Sequence, residues 1–233
     1  MENPQLVAEH AAQVLKHLQA TECLNLPSPH YMQRQYDINE KMRAILVDWI
    51  IEVHLKFKLL PETLFLAVNL MDRFLEKVQI GRHNLQLVGV TAMLIASKFE
   101  EIYSPTIKDF VYITDDAYTK QNIFDMEEQM LRVLEFNIAV PTPYRFLERF
   151  AKVEGANSVM FNLARYLIEL PLIEQRMLKY QPSLLAASAL YLARKVFFGD
   201  QAGWTQTLQE TTLHTVESMR SCAKDMLIML KGI

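Results

Sequence analysis

Two stretches of the chain repeat the same pattern of residue types at a constant spacing of 97 residues. TAMLIASK at 91–98 aligns with SALYLARK at 188–195, and the same shift aligns residues 64–72 with residues 161–169 without a gap. Apolar residues recur three and four positions apart in both pairs, which is the spacing of a buried helix face. Because one register serves two separate helices, the sequence predicts a duplicated helical unit.

The remaining sequence also favours helices, because Gly and Pro occur mostly between stretches with helical periodicity. Asn39, Ser104 and Thr142 stand where N-terminal helix caps are expected. Helices are predicted at 5–19, 40–57, 62–77, 84–100, 105–113, 119–135, 143–153, 157–170, 182–197, 205–211 and 214–231. The predicted fold class is all-α, with two tandem five-helix bundles preceded by an amino-terminal helix.

The third helix of each predicted bundle is apolar on nearly all sides and rich in small residues. These small residues are Gly89, Ala92, Ala96 and Ser97 in the first unit, and Ala186, Ala189 and Ala193 in the second. Small side chains let neighbouring helices approach closely. We therefore expect this helix to form the centre of each bundle.

The composition excludes several classes of protein. A net charge of −3 without a run of Lys or Arg argues against non-specific nucleic-acid binding and against a basic membrane surface. The two cysteines, Cys23 and Cys222, are too few for a disulfide framework or a cysteine-based metal site, so we expect a reducing intracellular compartment. Six scattered histidines, no His-Glu-x-x-His sequence and no phosphate-binding loop predict a protein without catalytic residues, metal or cofactor.

Charged residues that interrupt apolar patterns are the main candidates for a specific role, because buried ions are tolerated only when paired. Arg43 and Asp72 both fall among apolar residues, in the first and second helices of the first unit. An ion pair between them would satisfy both charges and join the two helices. We therefore predict a structural Arg43–Asp72 pair.

Lys98 and Glu127 interrupt two further apolar helix faces, and their role is open from periodicity alone. Lys98 falls angularly between Leu94 and Ile95, so a buried position is predicted. A lysine there must either extend to the rim of the bundle or meet a partner. Lys98 and Glu127 could pair with each other, or both could stand at the edge of a partner-binding surface.

Four strings between residues 42 and 136 carry a specific family resemblance. They are MRAILVDWIIEVH, ETLFLAVNLMDRFL, LQLVGVTAMLIASKFEEIYSP and FVYITDDAYTKQNIFDMEEQMLRVLEF. Together they closely resemble the first cyclin box of the mitotic A/B-type cyclins, with the B type favoured. A weaker resemblance covers residues 5–35 and the second unit. The two resemblances together imply an amino-terminal helix and linker at 1–36, a first cyclin box at 37–138 and a second cyclin box at 139–233.

The resemblance implies a regulatory subunit, not an enzyme, that binds and activates a cyclin-dependent serine/threonine kinase in cell-cycle (G2/M) progression. In this family, positions matching Lys98 and Glu127 bond the kinase next to its mobile C-helix, and positions matching Arg43 and Asp72 form an internal bridge. The implied kinase-binding residues are Lys98, Phe99, Glu100, Ile113, Glu127 and Phe136, extended by Val7, His10 and Val14 of the amino-terminal helix. The resemblance also implies that the protein is located in the nucleus and the cytoplasm. It implies no cofactor.

A second implied site is a docking groove for short Arg-x-Leu motifs of substrates or inhibitors. The matching residues are Met42, Ile45, Leu46, Trp49, Glu52 and Gln86. Glu52 could meet the arginine of the peptide while the apolar floor takes its leucine. Without the resemblance, the helical spacing of Met42, Ile45 and Trp49 would be typical of core residues.

Other classes fit the sequence less well. A transcription-type cyclin would share the fold and the kinase activation, but MRAILVDW and YITDDAYT resemble the mitotic sequences. Transcription-factor-IIB-like proteins share a duplicated five-helix architecture, but they bind DNA through a basic face that is not evident here.

Relative to the A/B-type cyclins that it resembles, the chain has little sequence before the amino-terminal helix and stops before the usual final helix. We expect a trimmed form or a compact member of a divergent lineage.

Overall fold

The computed structural model describes residues 8–231, and every regular element within that range is a helix. The α-helices are α1 (Ala11–Thr21), α2 (Glu40–Phe57), α3 (Pro61–Lys77), α4 (Leu85–Glu100), α5 (Ile107–Ile113), α6 (Lys120–Val133), α7 (Pro143–Glu154), α8 (Ser158–Glu169), α9 (Pro182–Phe198), α10 (Gln206–Thr212) and α11 (Val216–Lys231). The predicted all-α fold, with two five-helix bundles after an amino-terminal helix, is confirmed. Within the described range, no helix combines the length and apolarity needed to cross a membrane.

The described residues form two compact units. The first unit contains residues 26–139, with helices α2 to α6, together with residues 170–179. The second unit contains residues 8–25, 140–169 and 180–231, so it includes α1 and helices α7 to α11. The sequence limits predicted for the two boxes and the amino-terminal segment stay predictions.

Helix α4 forms the centre of the first unit, as its all-round apolar sequence predicts. It packs against α2, α3, α5 and α6, and every residue from Leu87 to Ser97 is buried. Gly89 lies directly against Leu46 of α2, because a Cβ atom there would lie 2.7 Å from Cδ1 of Leu46. A larger residue at this position would require the side chain of Leu46 to move.

Helix α9 takes the same central position in the second unit. It packs against α7, α8, α10 and α11, and its residues Ala186, Ala189 and Ala193 are fully buried. The buried side chain of Arg194, near the end of α9, is ion-paired with Glu154 of α7 and donates to the carbonyl oxygen of Gly203 at 2.8 Å. Small residues thus line the centre of both units, but the charges near the end of the central helix differ.

The predicted helix caps are correct at two positions and wrong at one. Asn39 accepts a hydrogen bond from the backbone N–H of Met42 at the start of α2. Thr142 caps α7 in the same way. Ser104 does not cap α5, because the helix begins two residues later, after Thr106, whose side chain and N–H form a capping box with Asp109. A proline after a serine is a weaker start signal than this reciprocal pair of hydrogen bonds.

Candidate partner-binding site

Lys98 and Glu127 form an ion pair at the end of α4. Nζ of Lys98 lies 2.7 Å from Oε1 and 2.9 Å from Oε2 of Glu127, so both carboxylate oxygens accept from one ammonium group. The lysine side chain is 49% exposed, whereas the glutamate side chain is 14% exposed. The predicted buried position of Lys98 is therefore wrong. Burial along α4 stops at Ser97, and helical periodicity cannot show where the surrounding helices end.

Exposed aromatic rings come from the same helix end and from the turn that follows α6. Phe99, next to Lys98, is 50% exposed, and Phe136 is 68% exposed. Glu135 and Phe136 both adopt positive φ angles, of 54° and 56°. The left-handed conformation is unfavourable for residues other than glycine, so packing around this turn must hold it in place. The turn therefore keeps the ring of Phe136 exposed at the end of α6.

The other two predicted members of this surface, Glu100 and Ile113, are half-buried. Glu101, which the sequence analysis did not single out, fixes the helix end that carries Lys98 and Phe99. One oxygen of its carboxylate accepts from the backbone N–H of Leu60 at 2.7 Å and from the hydroxyl of Thr63 at 2.5 Å. These bonds attach the end of α4 to the start of α3. Periodicity gave no signal for Glu101, because it lies just beyond the helix.

The predicted amino-terminal contributors belong to the second unit. His10 and Val14 are exposed, and Val14 has 49% of its surface accessible to solvent. Val7 lies outside the described residues. His10 and Val14 are therefore available on the surface of the segment that includes α1.

The predicted Arg43–Asp72 pair is present and buried. Nε and Nη2 of Arg43 donate to the two carboxylate oxygens of Asp72, each at 2.7 Å. Nη1 of Arg43 donates to the carbonyl oxygens of Leu172 at 2.9 Å and Ile173 at 3.1 Å, and the hydroxyl of Tyr31 donates to Asp72. Burial alone would lower the pKa of Arg43, but the Asp72 carboxylate more than compensates and raises it above its ordinary value. The guanidinium therefore stays charged and joins three segments of the first unit.

A groove beside α2 brings together five of the six predicted docking residues. Its cavity volume is about 340 Å³, and it is lined by Met42, Ile45, Leu46, Trp49, Arg82, Leu85 and Gln86. Ile45 is 62% exposed, and Met42 and Trp49 are half-buried, so they are not ordinary core residues. Glu52 is exposed on α2 but does not line the groove.

Arg82 and Leu85, which the sequence analysis did not single out, complete the wall of the groove. Arg82 is held by Asp37, whose carboxylate accepts from the backbone N–H and from Nε of Arg82, both at 2.8 Å. No periodic signal marks Arg82, because it lies in a short 3₁₀ turn before α4. Across residues 8–231, no cluster of three or more His, Cys, Asp or Glu side chains could hold a metal ion.

Comparison with known families identifies both halves of the chain. The cyclin N-terminal domain matches residues 13–139, and the cyclin C-terminal domain matches residues 141–232. The fold is also that of a solved viral cyclin from herpesvirus saimiri, with a TM-score of 0.83 and 22% identity over 94% of this chain and 96% of that one.

Two curated relatives are similar over nearly the whole chain. Cyclin-B2-1 of rice (Oryza sativa subsp. japonica) is 48% identical over 97% of this chain and 53% of its own length. The G2/mitotic-specific cyclin-B of Dictyostelium discoideum is 45% identical over 96% of this chain and 51% of its own length. The chain thus spans about half the length of these relatives. The resemblance to mitotic B-type cyclins is confirmed, and the chain belongs to the cyclin family.

Proposed function

We propose that this chain is a regulatory subunit that binds and activates a cyclin-dependent serine/threonine kinase during G2/M progression, in the nucleus and the cytoplasm. The observation that carries the proposal is the Lys98–Glu127 pair at an exposed helix end, next to the exposed ring of Phe99. The similarity to G2/mitotic-specific cyclin-B supports the cell-cycle role.

The chemistry of this surface suits a helical segment of a partner. The ammonium group of Lys98 retains a donor beyond the two bonds to Glu127, and a partner's backbone carbonyl can accept it. The carboxylate of Glu127 can accept from a backbone N–H in the same way. Phe99 and Phe136 would lose their contact with water on binding, which supplies apolar contact area around the polar pair.

Activation follows from preferential binding to one kinase conformation. A kinase is active when its C-helix glutamate pairs with the lysine that positions ATP and its activation segment is open. A rigid surface that fits this arrangement binds the active conformation more tightly and shifts the population toward it. The chain itself supplies no catalytic group in this proposal.

The proposal is tested with a purified monomeric cyclin-dependent kinase, by measuring its affinity for the chain and the phosphorylation of a simple peptide. We expect the Lys98→Ala/Glu127→Ala variant to weaken binding at least tenfold, about 1.4 kcal/mol, and to reduce activation in parallel. Glu128→Ala is the matched control, because Glu128 neighbours Glu127 on α6 but pairs with exposed Arg132. If the wild-type chain neither binds nor activates any mitotic kinase, the proposal is wrong.

We further propose that the groove beside α2 recruits substrates or inhibitors that carry an Arg-x-Leu motif. Its apolar floor, which includes Leu46 and Trp49, suits a leucine side chain. Glu52, exposed on the same helix, would meet the arginine outside the groove. A local contact of this kind raises the effective concentration of the substrate near the kinase.

The groove is tested by comparing phosphorylation of an Arg-x-Leu substrate with that of a simple peptide. Ile45→Asp and Trp49→Ala should raise KM for the Arg-x-Leu substrate and leave KM for the simple peptide unchanged. Ile45 is largely exposed, so its substitution keeps the test valid if Trp49→Ala fails to fold. Equal rates for both substrates with every variant would exclude the groove as a docking site.

A further inference from the structure

Helix α1 is held on the second unit by little apolar contact. Of its eleven residues, Leu15 alone is buried, and most of the others are exposed. A single buried leucine is little apolar contact for a helix of this length, which is marginally stable by itself in water. Polar contacts at the end of α1 add to this attachment.

Glu22 provides the principal polar contact at the end of α1. It is 5% exposed, and its carboxylate accepts from the backbone N–H and from the hydroxyl of Ser183, each at 2.8 Å. Ser183 is the second residue of α9, and the N-cap residue of that helix, Gln181, makes no side-chain capping bond. Glu22 thus caps α9 from a distant part of the chain, where the helix dipole favours a negative charge.

Two further hydrogen bonds extend this attachment. The hydroxyl of Ser183 lies 2.9 Å from Nε2 of His214, in the loop between α10 and α11. Since that hydroxyl donates to Glu22, Nε2 of His214 is the donor in the second bond. Nε2 of Gln19 donates to the carbonyl oxygen of Thr211 at 3.1 Å. The end of α1 is therefore bonded to the start of α9 through Glu22 and to the last turn of α10 through Gln19, and His214 bonds the same serine of α9.

Glu22 keeps a carboxylate in a largely buried position. Burial raises the pKa of Glu22, although the hydrogen bonds from Ser183 oppose the shift. An apolar residue at this position would leave the backbone N–H of Ser183 without its acceptor. Because two donors of Ser183 bind it, the carboxylate fixes the position of the end of α1 relative to the start of α9.

We propose that Glu22 is a positioning residue for kinase binding, which fixes α1 so that exposed His10 and Val14 are presented to the kinase. This inference rests on the proposed function. It differs from the Lys98 and Glu127 contacts, because Glu22 is buried and acts through α1.

The test combines amide hydrogen exchange of residues 11–21 with kinase affinity. We expect Glu22→Ala to accelerate exchange in α1 and to weaken kinase binding about tenfold. Val14→Ala should weaken binding of the wild-type chain and add almost nothing in the Glu22→Ala background. Glu154→Ala is the matched control, because Glu154 is a carboxylate of the same unit, only 10% exposed, that pairs with Arg194 of α9 and not with a residue of α1. It should leave α1 exchange and kinase affinity unchanged.

Full additivity of Glu22→Ala and Val14→Ala would overturn the inference, and so would faster exchange in α1 with unchanged affinity. Ser183→Ala removes the hydroxyl and keeps the backbone N–H, so it gives a milder version of the test if Glu22→Ala does not fold. A wild-type chain that fails to bind any cyclin-dependent kinase would instead contradict the proposed function, and this inference with it.

Discussion

The ends of the two central helices differ in charge although their sequences align. Lys98 of α4 matches Lys195 of α9 in the repeat. Buried Ile123, Met126 and Met130 of α6 match buried Met219, Cys222 and Met226 of α11 at a spacing of 96 residues, which places Ala223 where Glu127 stands. The second unit therefore cannot form an ion pair equivalent to Lys98–Glu127, because Ala223 has no charge to pair with Lys195. An ion pair present in one copy of a duplicated fold is not needed for that fold.

The structural ion pairs show the same contrast. Asp72 matches Glu169 in the repeat, but Asp72 is fully buried and bonded to another helix. Glu169 is partly exposed and pairs with Arg165 four residues earlier on α8. Equivalent carboxylates thus join two helices in the first unit and form a pair within one helix in the second unit. The duplication preserved the helices and changed what their charged residues do.

The largest expected difference between the units comes from these two carboxylates. Asp72→Ala should destabilise the first unit by about 3–5 kcal/mol, because it leaves Arg43 buried without its anion. Glu169→Ala should cost about 0.5 kcal/mol or less, because it removes one partly exposed pair. Denaturant unfolding, followed by amide exchange in each unit, measures both. Similar losses for the two variants would show that the contrast is wrong.

The second difference concerns kinase binding by the aligned lysines. Lys98→Ala should weaken binding of a cyclin-dependent kinase by about 2 kcal/mol, since it removes a donor and leaves Glu127 unpaired. Lys195→Ala should leave the affinity within about twofold, because the second unit has Ala223 in place of Glu127. Isothermal titration of the same kinase with both variants provides the comparison. A larger loss with Lys195→Ala would assign the lysine contact to α9 instead of α4.

A pH dependence is expected from His214 of the second unit. Burial lowers the pKa of His214, so the unfolded chain binds the proton more tightly than the folded chain. The free energy of unfolding should therefore fall as the pH decreases through the ordinary histidine value of about 6.5. His214→Gln retains a donor for Ser183 and should flatten this part of the stability profile. An unchanged slope in the variant would assign the dependence to another group.

The smallest effect is expected where the two units agree. Thr91 and Ser188 occupy equivalent positions in α4 and α9, and both hydroxyls are buried without a hydrogen-bond partner. Replacing such a group by an apolar one of similar shape is nearly neutral or stabilising. Thr91→Val and Ser188→Ala should each change the unfolding free energy by less than about 1 kcal/mol, toward greater stability. A clear loss in either variant would reveal a role for that hydroxyl.

Local sequence patterns predicted most of the helices and one tertiary contact. Apolar spacing located the central helices, because the periodicity of a buried helix is written in consecutive residues. The pairing of Arg43 with Asp72 was also predictable, since two buried opposite charges on adjacent helices have few other solutions. The family resemblance then indicated five residues that line the groove beside α2.

Contacts between distant segments required the tertiary structure. The exposure of Lys98 depends on where neighbouring helices end, and Glu52 lies outside the groove lining although its spacing from Ile45 places it on the same face of α2. The attachment of α1 through Glu22 joins residues 161 positions apart. The sequence by itself determined the helices, their duplication and which charges were unusual, because these follow from short-range periodicity. The tertiary structure decided which charges became buried anchors and which faced solvent, because burial depends on residues brought together from distant parts of the chain.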